Sequence, residues 1–88
     1  MRFAALVEVQ LRPGIADPEG STIERALPAL GFDEVHRVRA GRSFRFEIEA
    51  PDEARARARA EELATRLLAN PVIEDSRLEV CALGAEPG

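Results

Sequence analysis

His36, Cys81 and a cluster of four arginines are the residues of this 88-residue chain whose chemistry first suggests a function. A metal centre needs several nitrogen, sulfur or oxygen ligands converging on one point. One histidine and one cysteine do not supply them. His36 falls on the apolar side of "EVHRVRA", which suits a hydrogen-bonded core or rim histidine better than a ligand or general base. Cys81, in "RLEVCAL", has no histidine near it in sequence to activate its thiol, and reads as structural. Acyl-phosphate hydrolysis on a small α+β sandwich would need a glycine-rich loop after the first strand, with an arginine to hold the phosphate. That place is occupied by "RPGIADPEGS", where Asp17 and Glu19 repel an anion. Stacking of RNA bases on a sheet requires exposed aromatics. Phe44 and Phe46 share the parity of Ile48, which assigns them to the core instead.

The most distinctive electrostatic feature is "HRVRAGRSFR", which carries Arg37, Arg39, Arg42 and Arg45 with no acid among them. It lies in a chain of formal net charge −4, which argues against a dedicated nucleic-acid binder. Arginine suits planar, bidentate ion pairing, so contact with an acidic protein surface is the functional expectation for this patch. The single cysteine, the strand-like start and the lack of a signal peptide or membrane span lead us to expect a cytoplasmic protein without a membrane partner.

These side chains must be positioned by a small number of elements. In "RFAALVEVQLR", Phe3, Ala5, Val7, Val9 and Leu11 alternate with a mixed set, which predicts a strand with one buried face. Pro13 and Gly14 end it. A helix follows, with two start signals: Asp17 before Pro18, and Ser21 with Glu24 at capping-box spacing. Ile23, Ala26, Leu27 and Leu30 form its apolar stripe, and Gly31 suits the left-handed stop. Pro28 should deprive the Glu24 carbonyl of its helical partner and fray the last turn. "DEVHRVRAGRSFRFEIEA" predicts a hairpin turning at Gly41, with His36, Val38 and Ala40 on one face of the first arm and Phe44, Phe46, Ile48 and Ala50 on one face of the second. Val35 is out of phase with Val38, so a bulge or a late strand start is expected there. A second helix runs from Pro51 or Asp52 to Asn70, with Ala56, Ala60, Leu63, Ala64 and Leu67 inward. Leu78, Val80 and Ala82 then mark a last strand.

The order strand, helix, strand, strand, helix, strand is that of a two-layer α+β sandwich. We expect a ferredoxin-like βαββαβ fold, with a four-stranded antiparallel sheet covered on one face by two helices. Residues 1–83 would form one domain and 84–88 a loose tail. A chain of this length buries only about 60–65% of its unfolded surface and gains from oligomerisation. The opposite sheet face combines Leu6 and Leu83 with charges of both signs, so a homodimer or tetramer is expected through it. From the residues alone, a stand-alone regulatory domain binding a small ligand also stays open.

Three stretches together carry a resemblance: "VEVQLRPGIADPEGSTIERAL", "LGFDEVHRVRAGRSFRFEIEA" and "LLANPVIEDSRLEV". In order and spacing they resemble PurS, the small-subunit family of phosphoribosylformylglycinamidine (FGAM) synthase. The matching positions are Pro13, Gly14, Asp17, Pro18 and Gly20, then Arg39 and Gly41, then Leu67 to Asp75. Arg12 stands where lysine is expected, Glu19 where glutamine is frequent, and Ser76 where an aromatic is common. The resemblance implies a subunit of an ATP-dependent carbon–nitrogen ligase that uses glutamine to convert formylglycinamide ribonucleotide to formylglycinamidine ribonucleotide in purine biosynthesis. It implies no catalytic residue, cofactor or metal on this chain, with ATP and magnesium held by the large synthetase partner (PurL). It further implies a role bridging that partner to the glutaminase subunit (PurQ) and aiding ammonia transfer.

The stiff loop suggests where such a surface would lie, because a preformed loop loses less entropy on docking. The candidate interface therefore comprises Arg12, Pro13, Gly14, Asp17, Pro18 and Gly20 of that loop, the basic residues Arg37, Arg39, Arg42 and Arg45, and Asn70, Pro71, Glu74 and Asp75.

Overall fold

The alternation in the first segment is realised as β1, Arg2–Leu11, the central strand of the sheet. In the computed structural model, which describes residues 1–83, Phe3, Ala5, Val7 and Val9 are each 3% exposed or less. β2 (Gly41–Glu49) pairs antiparallel along one edge of β1, with Phe3 opposite Ile48 and Val7 opposite Phe44. β3 (Glu74–Ala82) pairs antiparallel along the other, with Val7 opposite Leu78 and Leu11 opposite Glu74. The sheet is thus three-stranded, in the order β2-β1-β3.

The expected fourth strand is absent among the described residues, and the reason is the fate of its backbone donors. Over residues 33–40 the Val38 N–H goes to the Glu24 carboxylate (2.9 Å) and the Ala40 N–H to Asp17 (2.8 Å). Arg37 adopts a left-handed φ of 58°, which interrupts any extended run. With these donors committed to side chains, the segment cannot lay a ladder along β2. His36, expected on an apolar strand face, is accordingly exposed.

α1 (Pro18–Ala26) uses the first of its two start signals: Asp17 caps it by accepting the Gly20 N–H at 3.0 Å, and Pro18 opens it. Ser21 lies inside the helix, so the second start is not used. Pro28 acts as expected. The Glu24 carbonyl is taken by the Leu27 N–H (3.3 Å), and a 3₁₀ turn over Pro28–Leu30 leads to Gly31 at φ 89°.

α2 (Glu53–Leu63), capped by Asp52, lies on the sheet. Its buried positions are alanines: Ala56 and Ala60, followed by Ala64, allow the helix axis to approach β1 closely. A π-turn over Ala64–Leu68 closes with the Ala69 N–H on the Ala64 carbonyl at 2.9 Å. It directs Leu68 and Ala69 to the core and leaves Leu67 74% exposed, contrary to the inward place expected for Leu67.

Neither expected layer is complete among the described residues: the sheet lacks a fourth strand, and only α2 covers it. α1 touches chiefly its own 3₁₀ turn and does not cover the sheet, leaving Ile23, Leu30, Phe32 and Val35 exposed. The molecule measures 51 × 30 × 14 Å with a radius of gyration of 16.2 Å. A compact chain of this length would have about 12 Å. The opposite sheet face is laced by ion pairs of Arg2 with Glu47 and Glu49 and of Arg77 with Glu8. Exposed pairs of this kind add little stability. The tail expected at residues 84–88 lies outside the described residues.

Candidate partner-docking end of the sheet

Three connections meet where β1 ends: the loop from β1 to α1, the entry to β2, and the turn from α2 to β3. Arg12 joins the first to the third. Its N–H donates to the Ile73 carbonyl (2.8 Å), its guanidinium to the Pro71 carbonyl, and its Nε lies 3.4 Å from Asp75. Gly14 follows at φ 88°, a left-handed turn position that glycine adopts without steric cost.

Arg39 joins the first connection to the second. Its guanidinium donates to the carbonyls of Leu11, Arg12 and Ile15 at 3.3–3.4 Å, fastening the loop across its width. Asp17, 8% exposed, completes the clasp: one carboxylate oxygen caps α1 through Gly20, the other holds the Ala40 N–H, and Arg39 Nε lies 4.0 Å away. Gly20 fits only because it has no side chain, since a Cβ there would meet Asp17 Oδ2 and the Val38 carbonyl, each at 2.6 Å.

Glu74 performs the corresponding task for the second and third connections. Both its oxygens accept from Arg42 at 3.0 Å, and Oε1 also accepts the Asn70 N–H at 2.7 Å. Arg42 lies over the Phe44 ring at 5.6 Å as well, a cation–π contact that orients its fork.

Hydrogen bonds to the charged form keep both carboxyls acidic. The Gly20 and Ala40 N–H groups hold Asp17 below its ordinary value, helped by Arg39; the Asn70 N–H holds Glu74 below its own, helped by Arg42. Because the ordinary values are 3.8 and 4.5, the unfolded chain takes up these protons first as pH falls. The stabilisation is complete above about pH 4.5 and is lost as pH drops through that value, 3.8 and below. A thermal midpoint level from about pH 7 to 5 and falling below that is the expected result. The double variant Asp17→Asn/Glu74→Gln should show a flatter acid limb; an identical limb would mean that other groups set it.

The structure brings the candidate interface together almost whole. Arg12, Gly14, Asp17, Pro18, Gly20, Arg39, Arg42, Asn70, Pro71, Glu74 and Asp75 belong to the bonded cluster just described, or flank it. Pro13 and Arg37 line an open groove of about 690 Å³ with Glu24, Arg39 and Asp75. A neighbouring groove of about 350 Å³ is bordered by Asp17, Arg42 and Glu74. Arg45 stands apart, midway along β2 opposite Leu6. One participant was assigned elsewhere by the sequence. Glu24 was expected to close a capping box with Ser21, but it reaches out to the Val38 N–H across 14 positions of chain. Its capping-box spacing pointed to a local role and concealed the distant one.

Chemically this cluster holds loops. Its carboxylates accept from backbone and guanidinium groups, and no nucleophile paired with a base stands among them. No three His, Cys, Asp or Glu side chains converge on a metal-sized site among the described residues. No helix among them is long and apolar enough to cross a membrane.

The model of the family described as PurS, phosphoribosylformylglycinamidine (FGAM) synthase, matches residues 4–82. The chain belongs to the PurS family. The PurS subunit of the Synechocystis synthase is 42% identical over 77 residues, covering 88% of this chain and 77% of that protein. The crystal structure of Methanocaldococcus jannaschii PurS, described as one of the subunits of formylglycinamide ribonucleotide amidotransferase in the purine biosynthetic pathway, superposes with a TM-score of 0.81 at 37% identity. The match covers 92% of this chain and 98% of that one. A chain in the structure of PurLQS from Thermotoga maritima gives 0.85 at 32% identity, with 92% and 99% covered. The PurS resemblance drawn from the three sequence stretches is thereby confirmed, and with it an α+β fold of two helices and an antiparallel sheet.

Proposed function

We propose that this chain is the small, non-catalytic subunit of an FGAM synthase. It supports the ATP-driven, glutamine-dependent conversion of formylglycinamide ribonucleotide to formylglycinamidine ribonucleotide by bridging the glutaminase (PurQ) and synthetase (PurL) subunits and aiding ammonia transfer. The observation that carries this reading is the loop cluster itself. In a chain of the PurS family, Asp17, Glu74, Arg12, Arg39 and Arg42 spend their charges on fixing three loops as one surface, which is the property of a docking part rather than of a catalyst. ATP and magnesium belong to the synthetase partner, and the cytoplasm is the setting of the reaction.

A homodimer or higher self-assembly completes the picture. The uncovered strip from Ile23 through Leu30 and Phe32 to Val35 supports it, because a chain this flat gains core by placing such a strip against a second copy. The strip is a better candidate for that contact than the ion-paired sheet face.

Reconstitution with the synthetase and glutaminase subunits of the same organism tests the proposal. Omitting this chain should abolish most glutamine-dependent product formation while leaving part of the activity with free ammonia. Full glutamine-dependent activity without it would refute the role.

A further inference from the structure

β3 is an edge of the sheet, and among the described residues no strand lies along its outer side. One bond sets its backbone phase. The Arg12 N–H donates to the Ile73 carbonyl at 2.8 Å, and Leu11 stands opposite Glu74, so the odd-numbered residues of β3 turn their backbone groups to β1. Ser76, Leu78, Val80 and Ala82 turn theirs outward. The pairing with β1 runs from Glu74 to Ala82 without a bulge, and the strand contains no proline. Bulges and prolines are the common means of blunting an edge against further pairing.

The charges on this edge complement those of a second copy in one register. An antiparallel match of two β3 strands must set outward-turned residues opposite one another, so the available registers differ by steps of two. With a two-fold axis at Leu78, Arg77 of each copy stands opposite Glu79 of the other, at a non-hydrogen-bonded pair where cross-strand side chains come closest. Sliding one copy by two residues sets Arg77 against Arg77 in one direction and Glu79 against Glu79 in the other. A slide of four leaves only Glu74 to Leu78, or Leu78 to Ala82, paired. Both side chains are exposed. Arg77 reaches Glu8 of its own chain through Nη2 at 3.3 Å, which leaves donors of its fork for a second carboxylate.

β2 is the other edge, and its Arg45 and Glu47 allow a similar match. α2 decides between the two, because it packs chiefly on β3 and leaves the part-buried row of Phe44, Phe46 and Ile48 on β2 poorly covered. Joining two β2 edges would widen that uncovered apolar area. Joining two β3 edges brings together the helix-covered sides of both sheets, with the part-buried Leu78 side chains adjoining at the axis. We propose that β3 pairs edge to edge with β3 of a second copy, antiparallel about Leu78, so that two three-stranded sheets become one. The inference rests on the self-assembly proposed above and adds a second two-fold contact to the one at the Ile23–Val35 strip. Two such contacts close a tetramer. A strand pairing is small by itself, but two of them join a pair of strip-bound dimers, and each holds the other at high effective concentration.

Sedimentation velocity of the full chain over a wide concentration range tests this, and wild type should reach a tetramer. Arg77→Glu and Glu79→Arg each set like charges opposite one another. Each should raise the dimer–tetramer dissociation constant at least tenfold, with the thermal midpoint unchanged. Mixing the two variants in equal amounts should restore the tetramer, since every facing pair at a mixed edge is then of opposite sign, and no effect within one chain could do so. Ser76→Pro, which removes an outward N–H and spares the ladder to β1, should stop assembly at the dimer. Assembly of all three edge variants at wild-type strength would overturn the edge contact, and dissociation of that assembly by Phe32→Asp would leave the strip contact standing. Failure of the mixture to recover would overturn the register and the proposal with it. If Ser76→Pro unfolds, the charge variants decide by the same readings. A wild type that stays monomeric would remove the self-assembly and the edge contact together.

Discussion

Phe3→Ala is expected to destabilise the chain by about 3–5 kcal/mol and leave much of it unfolded when it is purified alone. Phe3 is 3% exposed on the central strand and packs in one cluster with Ala5, Ala50, Ala56, Ala60 and Val80. Four of its five buried neighbours there are alanines, which have no side-chain length with which to fill the space a lost ring would leave, while the longer Phe46, Ile48 and Leu78 pack against the cluster from partly exposed positions. The alanines cannot collapse into the space, so a large part of the cavity term should be felt. Total stability at this length is roughly 4–13 kcal/mol from the usual per-residue range, so the loss is a large fraction of what exists. Denaturant titration of the isolated variant checks this. A midpoint within experimental error of wild type would show that the core lies elsewhere.

Gly20→Ala is the second large effect, and it acts on the loop cluster at the end of β1 instead of the core. The new methyl group would sit 2.6 Å from the Val38 carbonyl and from Asp17 Oδ2. Neither neighbour yields freely: that carboxylate oxygen holds Ala40, and the Val38 backbone is tied to Glu24. The helix cap, the Ala40 bond and the Arg39 contact should loosen together, at a cost of about 2–3 kcal/mol and a fall in thermal midpoint of roughly 10 °C or more. Gly14→Ala is the control, because its Cβ would meet open space and only the left-handed φ of 88° resists it. That substitution should cost about 1 kcal/mol. Equal midpoints for the two variants would show that crowding at Gly20 is not the decisive factor.

Much of this was legible in the chain. The period-two pattern of Phe3 to Val9, the Asp17–Pro18 helix start, the fraying at Pro28 and the Gly31 stop are consequences of local sterics and hydrogen bonding. The three stretches that pointed to PurS also contain nearly all the residues that meet at the end of β1, because each lies beside a strand end. Two expectations failed for one shared reason. The segment at 33–40 has strand-like alternation, and Ile23 to Leu30 has a helical apolar stripe, but alternation does not say which acceptor will take an N–H or which surface will cover a stripe. Glu24 and Asp17 took the donors of Val38 and Ala40, which removed the fourth strand. Without that strand the sheet has three members, and α1 is left with its stripe exposed.

By itself, then, the sequence determined the period of β1, the Asp17–Pro18 start and Gly31 stop around the first helix, and the family, since these depend on neighbours a few positions apart. Only the tertiary structure decided that the sheet has three strands, that α1 faces outward, and that Arg12, Arg39 and Glu74 bind three loops into one surface. Those outcomes depend on competition for hydrogen bonds between residues far apart in the chain, such as Arg12 and Pro71, 59 positions from one another, and no local pattern records who wins it.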